Sequence, residues 1–253
     1  MSTIQSSTSL AELVISRPEL APRFDALGLD YCCGGQRSLG EAVASAGLDL
    51  TVTIAALQVP AQAAEPRQDW DGISGLVDHL EATHHAYLNA VLPRLVALAD
   101  KVAQVHGANH PELVTVSELV HELRADLEPH LLKEERVLFP MIRELAEATE
   151  APAFHCGTLS NPIGMMLSEH DSVGELLAKL RESAGDYKAP EDGCGSYHAL
   201  YAGLAELEAD THMHVHKENN VLFPAVIKAE NALSAGARRV GDGTVPHGFT
   251  DGQ

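Results

Sequence analysis

One segment of this chain occurs twice. HLLKEERVLFP (130–140) matches HVHKENNVLFP (214–224) in register, 84 residues further on, with His, Lys, Glu and the tetrapeptide Val-Leu-Phe-Pro in common. Each copy holds a His-x-x-x-Glu pair, His130 with Glu134 and His214 with Glu218. At 3.6 residues per turn, a four-residue step puts both side chains on one helical face, a turn apart. The likeness runs upstream as well: LVDHLEATHHAYLNAVLPRL resembles IGMMLSEHDSVGELLAKL, which aligns His85 with His170 at an offset of 85. The lone His precedes its His-x-x-x-Glu pair by 45 residues in the first half and 44 in the second. Two helices can therefore each offer an imidazole and a carboxylate inward.

From residue 70 onward four long amphipathic stretches follow, about 71–103, 111–148, 160–184 and 194–231, joined by short polar, Gly or Pro connections. Four helices with short loops predict an all-α, up-down four-helix bundle over 70–231. Aromatics make up only 4% of the 253 residues, so the core rests on Leu, Val, Ala and Ile, which suits helices. Residues 1–58 read as a small helical domain broken by Pro18, Pro22 and the Gly34-Gly35 pair. Residues 59–69 carry two prolines and read as a linker, and 232–253 as a disordered, Gly-rich tail.

Folded together, the halves would gather four imidazoles and two carboxylates in an apolar interior. Buried acids this close either take up protons or bind cations, and bridging two metal ions satisfies all four oxygens. Imidazole with carboxylate and no thiolate favours iron, manganese or zinc over copper(I) or an iron-sulfur cluster. With an oxo or hydroxo bridge each ion would have five ligands and one open position, suited to a diatomic such as O2 or NO.

Other nearby groups receive lesser parts. His79, His84, His121, His212 and His216 point to other faces of their helices and read mostly as surface or supporting groups, with His84 the substitute should His85 not ligate. Asp126 and Glu169 are placed to hold the outer nitrogen of a ligand ring or to carry protons. Pro129, just before His130, predicts a kink at a ligand, and the shared Val-Leu-Phe-Pro reads as packing with a kink after Pro140 and Pro224.

Seventeen Lys and Arg against 36 Asp and Glu give a formal charge of -19, which opposes binding to nucleic acid or anionic membranes. No apolar run reaches bilayer length, and a cytoplasmic protein is expected. Cys32, Cys33, Cys156 and Cys194 read as free thiols, the last two without a role.

These residues resemble the iron-sulfur cluster repair di-iron proteins, also called the Repair of Iron Centers family, in the hemerythrin-like group. LGLDYCCGGQRSL resembles the short cysteine-bearing domain that precedes the hemerythrin-like bundle there, and the ligand series is His85, His130, Glu134, His170, His214 and Glu218. The resemblance implies a non-haem centre of two iron ions, held by four His and two bridging Glu. It also implies restoration of iron-sulfur clusters damaged by nitric oxide or oxidative stress, with iron donated to apo or damaged iron-sulfur proteins. For Cys32 and Cys33 it implies thiol redox work or a transient contact with nitric oxide or iron. Two alternatives use the same centre: a nitric oxide or peroxide reductase, and a hemerythrin-like O2 or NO binding sensor. A homodimer is compatible with each.

Overall fold

The computed structural model describes residues 4–58 and 70–241, with side chains to residue 235. Residues 59–69, the expected linker, lie outside the described residues. The fold is all-α, and among the described residues the only β contacts are two isolated bridges, Ser9–Ser38 and Phe154–Gly157.

Four short helices form the N-terminal unit: α1 (Leu10–Ser16), α2 (Ala21–Leu27), α3 (Leu39–Ser45) and α4 (Leu50–Gln58). Ser9 and Ser38 open α1 and α3 as capping boxes, each hydroxyl accepting from the N–H of a Glu three residues on while that carboxylate accepts from the serine N–H. Gly28 closes α2 in the left-handed conformation, φ 64°, where a side chain is strained. Leu10, Leu20, Phe24, Tyr31, Leu39 and Leu57 are buried in this unit's own core.

The bundle consists of four rods. The first joins α5 (Gly72–Leu80) to α6 (Ala86–His106), and the second α7 (Glu112–Lys133) to α8 (Phe139–Glu147). The third is α9 (Ser160–Ser183) alone, and the fourth joins α10 (Gly195–Lys217) to α11 (Phe223–Gly241). Helix α6 packs on α7 and α10, and α7 on α9. The expected tail is corrected at its start, because α11 continues helically to Gly241. Residues 242–253 lie outside the described residues.

Three rods are joined through one π turn each, at Glu81–His85, Glu134–Leu138 and Glu218–Leu222. In each the N–H following the turn reaches back five residues: Ala86 to Glu81, Phe139 to Glu134 and Phe223 to Glu218. The last two turns end just before Pro140 and Pro224, whose missing N–H and bulky ring disfavour an ordinary i→i−4 turn there. In the first, Thr83 Oγ1 donates to the His79 carbonyl at 2.6 Å and competes with the backbone for it. The irregularity thus precedes the two prolines as a widened turn, where a kink after them was expected. Pro129 is exposed within a continuous α7, and His130 keeps its inward position.

The N-terminal unit docks on α10 and the turn after it. Asp25 Oδ1 lies 2.8 Å from His212 Nδ1, and Asn220 Nδ2 donates to the carbonyls of Cys32 (2.9 Å) and Tyr31 (3.3 Å). Gly35 makes this fit: a Cβ there would stand 2.5 Å from the Tyr31 carbonyl and 2.8 Å from Asn220 Oδ1. Gly35→Ala should therefore cost roughly 1–3 kcal/mol by overpacking. Gly164→Ala, on an open face of α9, should be neutral or stabilising by up to about 1 kcal/mol. Urea unfolding of the two variants checks the contrast.

Candidate metal centre

The bundle has two apolar cores with a polar layer between them. One contains Leu92, Val120, Leu177 and Leu204 from α6, α7, α9 and α10; the other contains Leu80, Ile142, Ile163 and Val226 from α5, α8, α9 and α11. Between them on every rod lie the residues singled out by the repeat. His85, Glu134 and Glu218 fall in the π turns, His130 and His214 one turn earlier on α7 and α10, and His170 at the middle of α9.

Glu134 and Glu218 are fully buried at the centre of this layer. Glu134 Oε2 is 3.5 Å from His85 Nε2 and 3.4 Å from His130 Nε2. Glu218 reaches His170 Nε2 and His214 Nε2, each at 3.2 Å, with one oxygen for each ring. The donor atoms form two sets, His85–Glu134–His214–Glu218 and His130–Glu134–His170–Glu218, with the atoms of each set within 4.8 Å of one another. Both carboxylates belong to both sets.

The outer ring nitrogens fix the tautomers. His130 Nδ1 lies 2.9 Å from Glu169 Oε2, His85 Nδ1 3.0 Å from Glu135 Oε1, and His170 Nδ1 2.7 Å from Asn219 Oδ1. A carboxylate or amide oxygen only accepts, so each of these rings donates through Nδ1 and turns its Nε2 lone pair inward. Lys133 in turn pairs with Glu169. The repeat governs this arrangement too, since Glu135 and Asn219 occupy equivalent positions, one residue after each central Glu.

The symmetry breaks at one place. His84 is the repeat partner of Glu169, but it does not bond the His214 ring. It stacks on it at 5.4 Å and 7°, with its own Nδ1 2.9 Å from Asp210 and Nε2 2.9 Å from Lys217. His214 Nδ1 is left without a hydrogen-bond partner. His84 is thus buried but turned away from the donor sets, which His85 joins.

Without a cation this interior is poorly satisfied. Both oxygens of Glu134, both of Glu218, and Nε2 of His85 and His214 are buried with no hydrogen-bond partner, and the Nε2 atoms of His130 and His170 face each other at 3.0 Å. With both rings donating outward, two lone pairs would meet there. Protons can partly compensate. Burial disfavours charge on His85 and His170, yet the neighbouring carboxylates outweigh it and hold both pKa values up to about 9. Burial likewise favours the protonated acid at Glu218, but His214 and His170 hold its carboxyl well below the usual range. Cations held between the two glutamates would replace those protons and meet the glutamate oxygens and the inward-facing Nε2 atoms. The donor set therefore fits a buried metal site.

Of the remaining sequence candidates, Asp126 is corrected: it is exposed on α7 and joins neither the donor sets nor the outer nitrogens. Its place is taken by Glu135 and Asn219, which sequence reasoning missed although the repeat aligned them. His79 meets Lys217 and His121 meets Asp100, while His212 and the buried His216 serve the docking of the N-terminal unit, at Asp25 and the Tyr31 carbonyl. Cys156 is half-buried beside Met141, and Cys194 is exposed beside His106. Cys32 is buried and Cys33 half-buried at the docking seam, with sulfurs 3.9 Å apart. Asn219 Nδ2 donates to the Cys32 carbonyl at 3.4 Å, so one side chain touches both the cysteine loop and a ligand ring.

A bundle of this kind with paired His and Glu inside it defines a class: residues 76–226 match the hemerythrin HHE cation binding domain. Residues 6–61 match ScdA_N, a domain of unknown function (DUF542). The chain is 34% identical over 224 residues to the iron-sulfur cluster repair proteins YtfE of Escherichia coli O157:H7 and of Escherichia fergusonii, over 87% of this chain and 97% of each relative. It belongs to the YtfE family of iron-sulfur cluster repair proteins.

The contacts separate two acids that looked alike in sequence. Glu169→Ala should weaken metal binding about 10–100-fold by freeing the His130 ring, whereas Asp126→Ala should leave it unchanged. Competition against a chromophoric chelator measures both.

Proposed function

We propose that this protein restores iron-sulfur clusters damaged by nitric oxide or oxidative stress, supplying iron to apo or damaged iron-sulfur proteins from a dinuclear centre. The observation that carries this reading is the pair of fully buried carboxylates, each shared by both donor sets and lacking any other partner. In it His85 and His214 would hold one iron and His130 and His170 the other, with Glu134 and Glu218 shared by both ions and an oxo or hydroxo group as a further ligand. Such a pair supplies open coordination positions, redox change and exchangeable iron.

The chain's own residues keep the centre ready to load. Glu169, Glu135 and Asn219 keep protons on the outer nitrogens, so the inner lone pairs stay available. The two cores exclude water from above and below and strengthen every charge contact in the layer. The relatives' printed name gives the direction of the chemistry, repair of an iron-sulfur cluster. Among the described residues no helix is long and apolar enough to cross a membrane, in keeping with protein acceptors.

Metal removal should destabilise the fold. At a metal concentration a thousandfold above Kd the bound form gains about 4 kcal/mol. At about 2–4 °C per kcal/mol, chelation should lower Tm by roughly 8–16 °C in a thermal melt. Glu134→Ala or Glu218→Ala should lose most of the iron read by elemental analysis, and unchanged iron in both would overturn the bridging assignment.

The functional test incubates anaerobic, iron-loaded protein with an apo iron-sulfur enzyme. Recovery of that enzyme's activity, matched by iron leaving this chain, is expected; failure across several acceptors would overturn iron supply. Nitrous oxide formed from nitric oxide, or peroxide consumed with turnover, would move the assignment to a reductase. Reversible O2 or NO binding without iron loss would move it to a sensor.

A further inference from the structure

The repeat equips the two donor sets alike except at one position. His85 and His214 belong to one set and His130 and His170 to the other, while Glu134 and Glu218 belong to both. All four rings are only 1–2% exposed, so access to solvent does not separate the sets. Their apolar cover is matched as well. His85 lies against Phe139 and His170 against Phe223, at 5.3 and 6.1 Å between ring centres, and both phenylalanines are the same residue of the Val-Leu-Phe-Pro repeat.

What differs is the grip on the outer nitrogens. In the His130–His170 set both rings are held, His130 Nδ1 by Glu169 and His170 Nδ1 by Asn219. In the other set Glu135 holds His85, but His214 Nδ1 has no hydrogen-bond partner. The residue in the place of Glu169 is His84, whose Nδ1 meets Asp210 and whose Nε2 meets Lys217, so neither nitrogen serves His214. The lysines correspond too: Lys133 pairs with Glu169 and Lys217 with His84, each three residues after a ligand His. One side chain, Glu in one half and His in the other, therefore separates a held ring from an unheld one.

An acceptor on the outer N–H fixes a ligand ring's orientation and raises the basicity of its inner nitrogen, and loss of that acceptor typically costs about 10–100-fold in metal affinity. We infer that His84 makes the His85–His214 position the weaker of the two, so that iron(II) leaves this chain from that position first while the His130–His170 ion stays. His84 and Glu169 are then positioning residues, acting through His214 and His130. The inequality suits a donor. After the first ion departs, the second still compensates both shared carboxylates, and the buried layer keeps the four rods in register.

The order of release rests on the two-iron reading above. Reduced full-length protein loaded with two irons is mixed anaerobically with excess ferrozine, and absorbance of the iron(II) chelate is followed. Two phases of one iron each are expected, with rates at least about tenfold apart. His84→Glu, which copies Glu169 into the other half, should slow the first phase towards the second, and Glu169→Ala should speed the second towards the first. Crystals of the unsubstituted chain, soaked in chelator until one iron per chain remains, should show iron anomalous scattering between His130 and His170, whether or not the variants load. Release in a single phase, residual iron between His85 and His214, or a first phase that two-iron His84→Glu protein leaves unchanged or speeds overturns the inference. Single-phase release with an acceptor enzyme restored overturns the order alone; two phases with no acceptor restored keep the order and overturn iron supply.

Discussion

Two carboxylates placed where water cannot reach them set the terms for the rest of the molecule. Glu134 and Glu218 are fully buried, and each touches two imidazoles from different rods. Removing the compensating charge from a buried acid costs several kcal/mol, so all four rods must register to within an ångström or so at this layer. The apolar cores on either side supply the driving force for that register. The layer itself supplies its specificity, because a one-residue slip of α9 would set Glu169 or Asp171 in place of His170, an acid against an acid.

The π turns show how the backbone meets that demand. A regular helix advances 100° per residue, and a single widened turn shifts everything after it around the axis. Placing such a turn at His85, Glu134 and Glu218 lets these three rods present a ligand at the layer and still present their apolar stripes beyond it. The Val-Leu-Phe-Pro repeat thereby acquires a role. Its Leu and Phe anchor the lower core, and its Pro disfavours the ordinary turn.

The duplication is not perfect, and the differences are informative. Glu135 and Asn219 are equivalent in the repeat and perform equivalent tasks on His85 and His170. Glu169 and His84 are equivalent too, but only Glu169 holds a ring nitrogen, so the two halves of the centre are electrostatically unequal. The second half differs further in carrying Asn219 and Asn220, the two amides that clasp the cysteine loop. One copy of the repeat serves the centre alone; the other couples it to the N-terminal unit.

What the amino-acid sequence determined was periodic. A four-residue step puts His and Glu on one face and a duplication supplies that face twice, so the six buried residues, the four rods and the helical N-terminal unit were all legible from spacing. What only the tertiary structure decided was direction and adjacency. Whether Asp126 or Glu135 meets a ring depends on how far a π turn rotates one rod against another, and no local propensity encodes that angle. The same holds for the cysteine loop and the residues facing it across the docking seam, well over a hundred positions apart in the chain. Their meeting follows from docking two separately folded units, for which Gly35 leaves the room and Asn220 the hydrogen bonds.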